Sequence, residues 1–268
     1  MSEAIEVHHV IDGPAGAPVL VLANSLGSTL GMWDPHVAAL AAHFRVVRYD
    51  LRGHGDSPVP TGPYSMADLG LDLVALLDRL GIGRAHLCGL SIGGMVALWA
   101  AAHAPERVDR LIVCCSSARL EPSEAWTGRA AAVRAGGTGV VADAVVGRWF
   151  TPSFAARQPE LVARMRAMIA STPADGYAAC CEAIAGMDLR PDLARIAAPT
   201  LAIAAADDPA IPPEHSRRIV DGVQDGRLAV VAEAAHLVNV ERPAAVTTLI
   251  LDHLGILPGD RPAEEVSR

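Results

Sequence analysis

Six short apolar runs recur along this chain, each closed by turn-forming residues and most followed by a helical period. They are PVLVLANS (18–25), FRVVRYDLRGHGDS (44–57), RAHLCG (84–89), VDRLIVCC (108–115), PTLAIAAADD (199–208) and GRLAVVAEAAH (226–236). Helical periods lie between or after them at 35–43, 65–80, 92–103, 213–220 and 242–254. Strands that alternate with helices of this size are joined by βα crossovers, so an α/β fold with a mostly parallel sheet is expected. A run such as TLAIAA has no polar face, which suits a strand covered by helices on both sides. The alternation fails between about Arg119 and Met187, where EAWTGRAAAVRAGG, GVVADAVVGRWF, PELVARMRAMIAS and GYAACCEAIAG are helical and no strand is convincing.

A chain of 268 residues can hold one large domain, or a core with a smaller insertion. The expected division is a core of 1–118 and 188–268 interrupted by an all-helical segment at 119–187. The polar tail after Pro258 is expected to fray. The net charge is -8, every basic residue is arginine, and no basic run offers a nucleic-acid surface, so no nucleic-acid partner is expected. No uninterrupted apolar run reaches membrane-spanning length, and the opening MSEAIEVHHV lacks the pattern of a secretory leader. A cytoplasmic protein without a membrane partner is therefore expected. The five cysteines, at 88, 114, 115, 180 and 181, have no C-x-x-C spacing and read as small buried hydrophobes.

The run LCGLSIGGMVAL (87–98) raises a chemical possibility. A strand, a very tight turn and a helix meet at Ser91, with glycines at 89 and 93 where side chains would collide with the neighbouring elements. Such a turn lifts the serine Oγ above the sheet edge and directs the Ile92 amide, at the positive end of the helix, into the same space. Taken alone, G-x-S-x-G also fits a plain strand-to-helix turn. Serine becomes a useful nucleophile only with a base, and the base needs a third group to orient it. His236 alone among the ten histidines stands just beyond an apolar run and before the last helix. His8, His9, His36, His43, His54, His86, His103, His215 and His253 are expected to be structural or at the surface. For the acid, Asp207 and Asp208 both follow a strand; Asp208 is preferred because Pro209 biases it toward a loop conformation. A second oxyanion donor is expected from the loop LANSLGSTLGMW, at the Leu26 amide beside Gly27. No pair of histidines has helical ligand spacing with an acid, so no metal is expected.

With these residues assembled, the chain resembles the α/β-hydrolase superfamily over nearly its whole length, through GLSIGG, YDLRGHGDS, the Asp208 loop and the His236 loop. Within it, NSLGSTLGMWDP, RYDLRGHGDSP, GRWFTP, GYAACCEAIAGMDLR and AAHLVNVERP are similar to the 3-oxoadipate enol-lactonases. Asn24-Ser25 stand where most relatives have His-Gly, as in the enol-lactonase group. Ala205 departs from the glycine that many relatives place three residues before the acid, which bears on the choice between Asp207 and Asp208. The resemblance implies an α/β-hydrolase fold with a helical cap at 119–187. It also implies cofactor-free hydrolysis of a small anionic lactone by Ser91, His236 and Asp208, with the Leu26 and Ile92 amides as oxyanion donors. Another small carboxylesterase, a carbon–carbon bond hydrolase, a perhydrolase or a non-catalytic binding protein of the same fold would share these features. Residues 119–188 carry seven arginines against seven acids, so an arginine of this neutral segment could receive the substrate carboxylate. Arg134, with Trp126 as an apolar wall, is the expected pair. Oligomeric state is left open by the sequence.

Overall fold

The structure is a computed structural model and describes residues 3–257; the tail expected to fray lies outside them. Seven strands form one sheet in the order β1-β3-β2-β4-β5-β6-β7. They are β1 (His9–Asp12), β2 (Val19–Ala23), β3 (Arg45–Tyr49), β4 (Ala85–Leu90), β5 (Val108–Cys114), β6 (Thr200–Ala205) and β7 (Gly226–Val231). Only β1 runs antiparallel to its neighbour; every other pairing is parallel. The helices that flank the sheet are α1 (Asp34–Ala41), α2 (Met66–Arg79) and α3 (Ile92–His103). Five more, α4 (Ser123–Gly136), α5 (Gly139–Trp149), α6 (Pro152–Arg157), α7 (Pro159–Ser171) and α8 (Ala174–Gly186), fall between β5 and β6. The chain then adds α9 (Pro213–Gly222), the single turn α10 (Val238–Glu241) and α11 (Pro243–His253).

The apolar runs become strands because both faces of the sheet are covered. Leu20 and Leu22 pack with Cys88, Ile112 and Leu201 on one face, against α1 and α11. Val21, Val47, Leu87 and Leu111 pack on the other, against α2 and α3. That period-two division is what a pleated strand imposes on consecutive side chains. α3 is apolar all round and nearly every residue of it is buried, as expected for a helix held between a sheet and other helices. α2 begins at a reciprocal cap: the Ser65 Oγ accepts from the Asp68 amide, and the Asp68 carboxylate accepts from the Ser65 amide at 2.9 Å. All five cysteines are buried free thiols. Among the described residues no helix is long and apolar enough to cross a membrane.

Two features position the site. After β2 the chain crosses to β3 on one side, and after β3 it crosses back past β2 to β4, so the winding direction reverses between β2 and β4. Ligand crevices of open α/β sheets form at the carboxyl ends of strands at such a reversal. The register Ala23↔Gly89 places the loop after β2 directly beside Ser91. The second feature is the close packing of the segment between β5 and β6 onto the core. A Cβ on Gly176 of α8 would lie 2.2 Å from the Gly53 carbonyl oxygen, so the two backbones touch where any side chain would part them. α6 is the one helix of this segment without a sequence expectation. At six residues it is too short to show a period; its start is marked by Thr151, whose Oγ1 accepts from the Phe154 amide, and by Pro152 at the first position.

Candidate active site

Ser91 sits between β4 and α3 at φ 57° and ψ -120°, a left-handed conformation rare for a residue with a side chain. Such a backbone costs roughly 1–3 kcal/mol and persists only where its surroundings hold it. Here the Ser91 amide donates to the Cys114 carbonyl at 2.9 Å, and the Ser91 carbonyl accepts from the Met95 amide at 3.1 Å and the Ser116 hydroxyl at 2.7 Å. The glycines two places on either side are required by contact. A Cβ on Gly89 would stand 2.2 Å from the Gly93 carbonyl oxygen, and one on Gly93 would stand 2.4 Å from that of Ala23.

The pairing of β6 with β7 brings the next two groups together. Ala205 is in register with Val231, and the loops that leave these strand ends carry Asp208 and His236. His236 Nδ1 lies 2.8 Å from Asp208 Oδ2, with both residues 4 % exposed. The other carboxylate oxygen accepts from the amides of Ala210 at 2.8 Å and Ile211 at 3.0 Å, which fixes its plane. With Nδ1–H given to the carboxylate, a neutral imidazole keeps its lone pair at Nε2. Asp207 is exposed and meets the same region only through its backbone, its amide donating to the Ala234 carbonyl at 2.9 Å. The geometry therefore joins Asp208, and not Asp207, to His236.

The loop after β2 is held on each side of Leu26. The Ser25 amide points at Met32 Sδ (3.2 Å), the Gly27 amide donates to His54 Nε2 (3.0 Å) and the Leu30 amide donates to the Asp50 carboxylate (2.7 Å). His54 can accept because its Nδ1 faces the Arg52 carbonyl at 3.2 Å and burial lowers its pKa to about 4, keeping the ring neutral. The motif RYDLRGHGDS is thus the buttress of the β2 loop. Among the described residues the Leu26 amide has no protein acceptor. The Ile92 side chain is in the core, while its amide heads α3, where first-turn amides lack partners within the helix.

Ser91, His236 and Leu26 line one cavity of about 150 Å³. Its opposite wall comes from the helices between β5 and β6: Trp126 and Arg129 of α4, Val145, Arg148 and Trp149 of α5, and Tyr177 of α8. The Arg129 guanidinium lies over the Trp126 ring, 4.5 Å from its centroid. Burial, and then the nearby charge of Arg129, push the Arg148 pKa down. Burial raises that of Tyr177, whose buried hydroxyl faces Arg129. Neither arginine forms an ion pair among the described residues, so the wall carries two cations without a paired carboxylate, Asp208 acting on Arg148 only at longer range.

Trp126 lines the cavity wall and Arg134 does not, so the expectation that Arg134 faces the cavity does not hold. Arg134 is exposed and makes a bidentate pair with Glu182 of α8, beside Pro63 and Asp175 rather than in the cavity lining. The reason is helical phase: five residues beyond Arg129 is about 1.4 turns, which carries the side chain to another face of α4. Arg129 stands three residues after Trp126, on the same face, and that spacing was the available signal. Arg148 belongs to the run GRWFTP, where nothing local marks it as facing a cavity.

A family model described as alpha/beta hydrolase fold matches residues 18–243. The chain is 40% identical over 244 residues to 3-oxoadipate enol-lactonase 2 of Acinetobacter baylyi, covering 91% of each chain. Among solved structures, the enol-lactonase of Burkholderia xenovorans LB400 superposes with a TM-score of 0.91 at 42% identity, covering 92% of this chain and 96% of the other. A thermophilic esterase of Thermogutta terrifontis, solved with malate bound, superposes with a TM-score of 0.87 at 32% identity over 93% of each chain.

Proposed function

Because this chain belongs to the alpha/beta hydrolase fold family, we propose that it is a carboxylic-ester hydrolase that opens 3-oxoadipate enol-lactone to 3-oxoadipate, in the degradation of aromatic compounds. The observation that carries this reading is the cavity itself: a serine on a strained turn and an Asp-oriented imidazole on one wall, and two arginines without a carboxylate partner on the other. Such a site suits an ester that carries a carboxylate, in a protein whose net charge of -8 would otherwise repel one. The 40% identity to an enol-lactonase over 91% of the chain supports the substrate class.

In this reading Ser91 Oγ attacks the lactone carbonyl while His236 Nε2 takes its proton, and Asp208 stabilises the imidazolium that forms. The amides of Leu26 and Ile92 donate to the oxyanion of the tetrahedral intermediate; losing one such donor typically costs about 2.7–4 kcal/mol in the barrier. Collapse breaks the ring C–O bond and expels an enolate, a milder leaving group than an alkoxide. It takes the proton from His236 and relaxes to the ketone. Water, deprotonated by His236, then attacks the acyl-enzyme, and the proton returns to Ser91 as the new carboxylic acid leaves. Apart from that water, these steps use protein side chains and amides. The helices of 119–187 act as the lid, and Arg129 and Arg148 hold the acetate arm.

The test is a comparison of kcat/KM for the enol lactone and for p-nitrophenyl acetate, with peracid formation from acetate and peroxide as a third assay. A higher kcat/KM for the lactone is expected. A preference for the aryl ester, or peracid formation as the main activity, would reject the lactone in favour of a related hydrolase.

A further inference from the structure

Immediately after the loop of His236 stands a buried carboxylate with no role in the steps above. Glu241, the last residue of α10, is 6 % exposed, and among the described residues it forms no ion pair. Burying a charge without a cation is costly unless hydrogen bonds replace the lost water. Glu241 accepts from the Ala235 amide at 2.9 Å, from the Thr151 amide at 3.3 Å and from the Thr151 hydroxyl. Two amides and a hydroxyl converge on one side chain, and together they engage both of its oxygens.

The donors are placed to hold a base. Ala235 directly precedes His236. On the other side, the Leu237 amide donates to the Trp149 carbonyl at 2.9 Å. The residues on either side of His236 are therefore tied by their amides, Ala235 through Glu241 and Leu237 directly, to the stretch Trp149–Thr151 at the C-terminal end of α5. The same end of α5 presents Arg148 and Trp149 to the cavity.

We propose that Glu241 is a positioning residue for the general base, clasping the His236 loop to the end of α5 so that imidazole and substrate-facing arginine share one anchor. This rests on the reading of His236 as the base. An imidazole displaced by about 1 Å can cost on the order of 10²-fold in rate. Truncation of Glu241 therefore acts on the chemical step rather than on substrate affinity.

The experiment compares Glu241→Ala, Glu241→Gln and Thr151→Val with wild type on both the enol lactone and p-nitrophenyl acetate. Active sites are counted by titration with a fluorophosphonate, so that kcat is expressed per reactive serine. Glu241→Ala is expected to lower kcat per titrated site by about 10- to 100-fold, with KM within about twofold. Glu241→Gln is expected to recover part of the loss, because its carbonyl oxygen can still accept from Thr151, and Thr151→Val to show a smaller defect. A Glu241→Ala protein that folds and keeps its wild-type kcat per site overturns the proposal. So does a loss confined to the number of titratable sites, since that describes a fold defect alone. If Glu241→Ala does not fold, unchanged kcat per site in both milder variants overturns it. A wild type that hydrolyses the aryl ester but not the lactone rejects the substrate reading while leaving this test intact, and an unlabelled wild type removes both.

Discussion

Replacing Arg148 by methionine removes a guanidinium from the cavity while keeping a chain that can fill the space beside Trp149. Burial and the charge of Arg129 already disfavour the Arg148 cation in the absence of an anion, so a bound carboxylate relieves repulsion as well as making hydrogen bonds. A hydrogen bond to a charged group contributes about 1.5–3 kcal/mol. At about 1.36 kcal/mol per tenfold, Arg148→Met should raise KM for the enol lactone by roughly 10- to 150-fold. The arm it binds lies away from the reacting carbonyl and is charged in ground and transition states alike, so kcat should change by less than about threefold. Hydrolysis of p-nitrophenyl acetate, which has no carboxylate, should be unaffected. Steady-state kinetics on the two substrates decide the matter. Equal losses on both, or a fall in kcat with unchanged KM for the lactone, would refute recognition of the carboxylate by this residue.

Asp208→Asn should leave the fold intact and lower kcat by about 10⁴-fold, because an amide cannot hold the imidazole in its reactive tautomer; Asp207→Asn should change it by less than about twofold. Comparable losses from the two variants would overturn the assignment of the acid. Stability should fall on acidification. Burial depresses both His36 and His54 from 6.5 to about 4, so between those values the unfolded chain binds protons that the folded one excludes. The stabilisation is complete above pH 6.5 and is lost as pH falls toward 4, by roughly 3 kcal/mol for each ring at full extent. Urea unfolding at pH 7 and 4.5 measures it, and His36→Asn should flatten the slope; a free energy independent of pH over that range would contradict the burial argument.

The fold was largely legible because its signals are local and repeated. Runs such as TLAIAA have one satisfactory environment, a strand covered on both faces, and the helical periods between them fix a parallel sheet. The serine turn was legible in part for a related reason: Gly89 is demanded by a contact four residues away, to Gly93, although Gly93 is itself demanded by Ala23 of the neighbouring strand. Asp208 and His236 could be named because each follows a strand, but only the β6–β7 pairing shows which of two adjacent aspartates reaches the imidazole. The far wall of the cavity was harder to read. Arg134 and Arg129 are equivalent by composition, and helical phase against α8 decides that one meets Glu182 and the other the cavity. Glu241 carried no signal, since its donors come from Ala235 and from Thr151 ninety residues away. Arg148 and His54 likewise take their roles from contacts made across the fold.

The most direct test of the central claim is to expose the protein to a fluorophosphonate and map the modified peptide by mass spectrometry, in wild type and in His236→Ala. Activation of one hydroxyl by one imidazole requires a single adduct at Ser91 in the wild type and a labelling rate reduced by orders of magnitude in the variant. An adduct on another residue, or equal labelling of Ser91 with and without His236, would contradict it.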